Sequence, residues 1–216
     1  MKRLAILGAS GHGKVVADCA ELCGWESVSF FDDVWPGKQS NGAWSVIGST
    51  ECLLTRLDDF EGIFVAIGNN GVRETKLRTL FNEGVTPPVL VHPSAVVSRY
   101  AVIGAGSVLL AGAVVNAGCR IGMGAIINTG ASVDHDCSLG DAVHVSPGAH
   151  LAGEVCLGDR SWMGIGSSVR QMVKIGCDVM VGAGAAVVAD IPDACLAIGV
   201  PCLLYTSDAA DDSLRV

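Results

Sequence analysis

His135 is flanked on both sides by aspartate, and it stands out in a segment otherwise built of glycine, alanine and valine. An imidazole between Asp134 and Asp136 has its protonated form stabilised, which raises its basicity. That is what a general base working near neutral pH requires. Asn128 and His144 extend this polar cluster. The plain alternative for His135 is an exposed turn residue, and for His144 the structural reading is somewhat stronger; His150 and His92 read as structural. A second group of chemistry-bearing residues opens the chain: Gly8-Ala9-Ser10-Gly11-His12-Gly13-Lys14, then Asp32-Asp33, then Gly68-Asn69-Asn70 with Arg73. The glycine loop nearly spells a P-loop, but Val15 stands where Ser or Thr would hold magnesium, which argues against ATP hydrolysis. Its order, G-x-x-G-x-G, also differs from the dinucleotide fingerprint G-x-G-x-x-G. A glycine turn feeding a helix N-terminus can still hold a phosphate through free backbone N–H groups, or serve only as a tight turn. Asp32-Asp33, Asn69, Asn70 and Arg73 follow strands, where a nucleotide-binding sheet reads its ligand; solvated turns and helix caps are the other reading.

These residues need two different supports. Arg3–Ala9 reads as a strand, Val15–Cys23 as a helix, Ser27–Phe31 as a strand and Glu51–Asp59 as a helix. Gly62–Ile67 follows as a strand and Val72–Asn82 as a charged helix, so a parallel sheet with crevices at its strand C-terminal ends is expected. From Val91 to Val187 the pattern changes. All seventeen positions taken at steps of six are aliphatic, through Ile103, Leu109, Val115, Ile121, Ile127, Val133 and onward. Four residues after nearly every one lies a small or slim side chain such as Ala113, Cys119, Ala125, Ala131 or Cys137. This is a hexapeptide-repeat β-helix, in which stacked coils protect one another's apolar edges and leave chemistry to the turns. The domain boundary falls near residues 87–93, giving units of 1–88 and 89–201.

The chain has 216 residues, of which 50% are hydrophobic, and a formal net charge of -8. No apolar run approaches the roughly 18–20 residues of a spanning helix, and the apolar stretch after Met1-Lys2-Arg3 is too short for a signal peptide. A cytoplasmic location is expected, with no membrane partner. The acidic balance argues against a nucleic-acid partner. None of the nine cysteines forms a C-x-x-C pair, and Cys119 and Cys137 occupy inward slots, where packing accounts for them.

Several motifs in order carry a resemblance: Gly8–Gly13, Phe31-Asp32-Asp33, Ala66-Ile67-Gly68-Asn69-Asn70 with Arg73, Asn128-Thr129, Ser132-Val133-Asp134-His135-Asp136-Cys137 and His144–Ala149. Over residues 3–201 the chain resembles the sialic-acid and bacillosamine acetyltransferase family. The resemblance implies an N-terminal Rossmann-like domain holding a nucleotide sugar through Gly8, Ser10, Gly11, His12, Gly13, Asp32, Asp33, Gly68, Asn69, Asn70 and Arg73. It implies a left-handed β-helix that binds acetyl-CoA, with His144 beside the acetyl donor, and assembly as a homotrimer; Asn128 and Gly153 are expected on the acetyl-CoA side as well. It also implies His135 as general base with Asp136 as its acidic helper; relatives commonly carry Glu there, one methylene longer. The fold class is thus α/β followed by all-β.

A nucleophile attacking a thioester must lose a proton as the tetrahedral centre forms, so a base within about 2.6–3.2 Å is needed. Gly153 lies eighteen residues after His135, three hexads on, so its backbone N–H is expected beside the base as oxyanion donor. No acyl-enzyme is required, and Cys137 is a poor nucleophile in an inward slot. The expected reaction is N-acetylation of a nucleotide-linked amino sugar without a metal. Sugar O-acetylation and a non-catalytic nucleotide-sugar binder are the other readings. A zinc enzyme of the trimeric β-helix carbonic-anhydrase type needs three converging histidines; His144 and His150 lack the close His-x4-His spacing. After Pro201 the chain runs Cys202 to Val216 without keeping the period, and it reads as a tail foreign to the family, in the manner of translated adapter or vector sequence.

Overall fold

The computed structural model describes residues 2–206. Its first part is a five-stranded sheet with order β3-β4-β2-β1-β5. Strand β1 (Arg3–Leu7) leads to α1 (Gly11–Leu22), then β2 (Ser27–Phe31), the short hairpin β3 (Ser40–Asn41) and β4 (Trp44–Gly48), and α2 (Thr50–Leu54). A 3-10 turn (Leu57–Asp59), β5 (Gly62–Val65) and α3 (Asn70–Asn82) complete it. β1 pairs in parallel with both β2 and β5, so the crevice lies at the C-terminal ends of central strands, where open α/β sheets bind ligands.

Three local expectations are corrected. Helix α1 begins at Gly11, so Gly11-His12-Gly13-Lys14 is its first turn and the loop shortens to Gly8-Ala9-Ser10. The helix expected over Glu51–Asp59 breaks into α2 and the 3-10 turn, with the Thr55 hydroxyl donating back to the Cys52 carbonyl at 2.9 Å. The β3–β4 hairpin, unforeseen, pairs β4 in parallel with β2 and supplies Asn41, whose Nδ2 donates to the Ser10 carbonyl at 3.0 Å.

From Leu90 the chain forms a left-handed parallel β-helix. Two-residue strands recur every six residues and pair with strands one coil away, as in Val114↔Ser132 and Ile126↔His144. The right-handed rule for parallel crossovers does not govern it; that rule depends on twisted strands, and two residues accumulate little twist. Three faces result. Face I carries Leu90–Val91, Val108–Leu109, Ile126–Ile127, His144–Val145, Trp162–Met163 and Met180–Val181; face II runs from Val96–Val97 to Ala186–Val187; face III runs from Val102–Ile103 to Lys174–Ile175.

The aliphatic column and the small-residue column both point inward, and from Leu109 to Val187 nearly all of their members are buried in one core. Fully burying a Val, Leu or Ile contributes about 1.5–3 kcal/mol, so each coil is held by its neighbours. Val91, in the first coil, is 36% exposed because no coil lies beneath it. Two inward serines, Ser107 and Ser161, satisfy their hydroxyls by bonding the next coil: Ser107 Oγ donates to Gly122 O at 3.0 Å and accepts from Ala125 N at 3.0 Å, and Ser161 Oγ donates to Gly176 O at 2.7 Å. At the far end Cys195–Ile198 joins face I in parallel, and Leu203–Thr206 closes it antiparallel. Those four residues of the presumed tail are therefore a strand; residues 207–216 lie outside the described part.

The sheet domain sits on face I. Outward-facing Leu90, Val108 and Ile126 share one buried cluster with Val16, Ala17, Ala20 and Phe30 of the sheet domain. Leu77 of α3 reaches the corner between faces III and I, where a Cβ on Gly106 would lie 2.8 Å from its Cδ2.

Candidate active site

The turn Asp134-His135-Asp136 joins faces II and III. Asp134 Oδ1 accepts from the His135 amide at 2.8 Å and from Asn116 Nδ2, one coil below, at 2.8 Å. Asp136 adopts φ 58, and its Oδ2 lies 2.9 Å from His135 Nδ1. The shorter carboxylate therefore reaches the ring. A carboxylate only accepts, so Nδ1 carries the proton and Nε2 presents its lone pair. The hydrogen bond that His135 Nδ1–H donates to Asp136, aided by the charges of Asp134 and Glu154, raises the His135 pKa above the ordinary imidazole value.

Gly153 lies one coil above. A Cβ there would sit 2.5 Å from His135 Nε2 and 2.6 Å from Cε1, so the ring packs flat on glycine. The neighbouring amide of Glu154 donates to His135 O at 2.9 Å, and Gly153 O accepts from Met172 N at 3.0 Å. Among the described residues the Gly153 N–H has no protein acceptor, and an N–H in that position can receive a developing oxyanion.

A separate pocket of about 310 Å³ opens at the strand ends of the sheet domain, lined by Gly8, Ser10, Asp32, Asp33 and Gly68 together with Leu7, Thr50, Ile67, Val72 and Lys76. Gly8 has φ +112, and a Cβ there would meet the Ala66 carbonyl oxygen at 2.8 Å. Asp32 braces the loop, accepting from Ala9 N at 2.7 Å and Val34 N at 3.1 Å. Desolvation works to raise the Asp33 pKa, but hydrogen bonds from Thr50 and from Lys76 at 3.2 Å outweigh it and hold the carboxyl below its usual range. Lys76 and Thr50 were missed by sequence reasoning. Lys76 sits seven residues into a charged helix, and only its helical phase turns it toward Asp33.

The other predicted sugar residues have different positions. A Cβ on Gly13 would run into the Gly8 carbonyl, so Gly13 keeps α1 tight against the loop, as a helix–strand contact glycine does. Asn69 caps α3, accepting from Val72 N at 3.0 Å. Arg73 is the clearest correction. It is 1% exposed and spans the domains, donating to Ile67 O and Gly68 O on one side and to Gly124 O (2.7 Å) and Ala142 O (2.7 Å) on the other. Asn70 joins it, accepting from Arg73 at 2.8 Å and donating to Arg160 O at 2.7 Å. Burial lowers the Arg73 pKa only to about 10, so it stays charged. With every donor committed to protein oxygens, Arg73 has nothing left for a ligand.

His12 and His144 meet at the same junction, their ring centroids 6.5 Å apart. His144 stacks on Trp162 at 4.6 Å, and its Nε2 lies 3.1 Å from Asn128 Nδ2. Asn128 and His144 are thus brought together, whereas Gly153, also expected on the acetyl-CoA side, lies with His135. His12 Nε2 and His144 Nδ1 are buried without a protein partner. Burial and the nearby Arg73 charge depress both pKa values, to about 4 for His12 and about 3 for His144. The unfolded chain protonates these groups near pH 6.5 and the folded chain does not. Stability is therefore full above about pH 6.5 and falls as pH drops from there toward 4, with a slope of up to about 2.7 kcal/mol per pH unit for two protons. Urea midpoints across this window should decline, and His144→Phe should flatten the decline; an equal slope in that variant would refute the assignment.

Among the described residues no group of three or more His, Cys, Asp or Glu converges as a metal site would require, and no helix is long and apolar enough to cross a membrane.

Comparison with known proteins places this arrangement. The PglD N-terminal domain family model matches residues 3–80. The acetyltransferase domain of PglB from Neisseria gonorrhoeae FA1090 is 44% identical, with a TM-score of 0.90 over 95% of this chain and 100% of that one. PerB from Caulobacter crescentus, solved in complex with CoA and GDP-perosamine, is 40% identical with a TM-score of 0.90, over 95% of this chain and 98% of that one. UDP-N-acetylbacillosamine N-acetyltransferase of Bacillus subtilis (strain 168) is 38% identical over 114 residues, 51% of this chain and 52% of that protein; this chain spans about half the length of the curated relatives it matches. With a glycine-loop sheet domain, a hexapeptide β-helix and this level of identity across whole solved domains, the chain belongs to the hexapeptide-repeat nucleotide-sugar N-acetyltransferases of the bacillosamine and perosamine type.

Proposed function

We propose that this protein transfers the acetyl group of acetyl-CoA to the amine of a nucleotide-linked amino sugar, with His135 as general base, in a homotrimer located in the cytoplasm. The observation that carries the reading is the imidazole itself, with Nδ1 tied to Asp136 and Nε2 unbonded beneath Gly153. The amine lone pair attacks the thioester carbonyl, and Nε2 takes the amine proton as the tetrahedral centre forms. The Gly153 N–H stabilises the oxyanion. Collapse breaks the C–S bond, and the proton held on Nε2 passes to the leaving thiolate. Gly8, Ser10, Asp32, Asp33 and Gly68, with Thr50 and Lys76, would hold the nucleotide sugar. Asn128 and His144 would line the acetyl-CoA side on face I, while Gly153 stays beside His135.

A partner subunit is part of the reading for a geometric reason. The sheet domain covers face I, and His135 occupies the corner between faces II and III, which in a three-sided prism is the corner opposite face I. The base is therefore separated from its own chain's nucleotide pocket by the packed core, on the order of 10 Å thick. A neighbouring chain's pocket must meet it. Incubation with acetyl-CoA and a panel of UDP-, GDP- and CMP-linked amino sugars should give one product gaining a single acetyl mass. Co-expression of His135→Ala with a pocket-filling Asp33→Arg chain should restore part of the activity that each lacks alone. No recovery in mixed trimers would place the whole site within one chain.

A further inference from the structure

We propose that Gly118 is a positioning residue for the base: by leaving the space beneath Asp136 empty, it lets that carboxylate reach His135 Nδ1. The inference deepens the assignment of His135 as base and rests on it. Gly118 ends the turn Asn116-Ala117-Gly118, one coil below Asp134-His135-Asp136, and the Asp136 amide donates to Ala117 O at 3.0 Å. A Cβ built on Gly118 would run into Asp136 Oδ1 and approach its Cγ to 3.2 Å.

The backbone does not explain the glycine. Gly118 has φ +78, in the left-handed region, but the three positions stacked above it at the same corner adopt φ 58, 61 and 64 while carrying side chains: Asp136, Glu154 and Met172. This corner tolerates side chains at positive φ. Gly118 differs from the others in having directly overhead the carboxylate that bonds His135 Nδ1. The nearest backbone atom to the virtual Cβ, Asp136 Cα, is 3.5 Å away, an ordinary contact. An added methyl would therefore rotate the carboxylate away from the ring rather than displace the coil, and the fold would survive. The same turn serves the other flank, since Asn116 fixes the Asp134 carboxylate that accepts the His135 amide.

The groups that set the charge state of His135 are Asp136 through its hydrogen bond, then Asp134 and Glu154. Displacing Asp136 removes the first of these. In the 216-residue chain, Gly118→Ala should lower kcat by about 10²-fold, the scale of an angstrom-level misplacement of a catalytic group. It should also move the acid limb of the pH–kcat profile to lower pH, because the imidazole loses the interaction that raises its pKa. A loss of stability alone would move that limb the other way, to higher pH, because the folded state itself weakens below about pH 6.5. Asp136→Asn should do the same, and Gly118→Ala added to Asp136→Asn should do nothing more, since both remove one interaction. Gly118→Asn, whose residue type enters the left-handed region readily, repeats the test if alanine impairs folding. Gly84→Ala, at φ +79 with nothing within 4 Å, carries similar backbone strain far from the base and should leave kcat and the profile unchanged. Wild-type kcat and acid limb in the Gly118 variants, or additive losses in the double variant, would overturn the proposal. Full activity in His135→Ala would instead remove the reading beneath it.

Discussion

Turnover of His135→Ala is expected to fall by about 10²–10⁴-fold, the contribution of a positioned general base, with KM for both substrates little changed. The reasoning is local. Nε2 is the one unengaged nitrogen of a ring whose other nitrogen is held at 2.9 Å by Asp136, and its flat packing on Gly153 sets its direction. An amine attacking a thioester becomes cationic at nitrogen, and without a base the tetrahedral adduct reverts faster than it expels the thiolate. Free-thiol release from acetyl-CoA measures the loss directly. Cys119 and Cys137, buried in the column beside the turn, cannot substitute; burial raises the Cys119 thiol pKa and pushes that of Cys137 up to about 12, which removes the thiolate a covalent route needs. Turnover close to wild type in His135→Ala would discard the base assignment.

Arg73→Met should cost about 3–5 kcal/mol and uncouple the two domains. Arg73 is a buried guanidinium facing no carboxylate; what compensates it is a ring of oxygens, four of which (Ile67, Gly68, Gly124 and Ala142) accept no other backbone N–H among the described residues. Methionine fills much of the volume and satisfies none of them. Each buried carbonyl left without a donor costs about 1–3 kcal/mol, less where water enters the gap. Because the contacts divide between the sheet domain and two turns of the β-helix, calorimetry should resolve one transition into two, with the sheet domain melting first. Arg73→Lys, with three donors on one nitrogen in place of a planar fork of five, should fall between. A single unshifted transition in Arg73→Met would show that the apolar contacts of α1 and Leu77 hold the junction without it.

The β-helix was legible in the residues because its constraint repeats. Every coil buries the same two slots, so one physical demand writes itself into the chain at every sixth position, and the structure fills those slots as expected. The strands β1, β2 and β5 were readable for a related reason, as apolar runs ending at turn residues. The β3–β4 hairpin was not, because Ser40–Asn41 is two residues long and its buried Asn41 is polar, bonded to a loop distant in sequence. The turn Asp134-His135-Asp136 was visible as residue types. Its working geometry was not, since it depends on which residues lie one coil above and below.

What the sequence determined by itself was therefore everything set by short-range periodicity: the two-part architecture, the inward columns, and the composition of the turn that carries His135. Tertiary structure alone decided that Arg73 and Asn70 join the domains, that Lys76 and Thr50 enter the pocket, that His12 meets His144, and that His135 stands at the corner opposite its own chain's sheet domain. Those outcomes depend on how one unit packs against another, and that packing is chosen by the total burial and hydrogen bonding of both surfaces rather than by any local pattern.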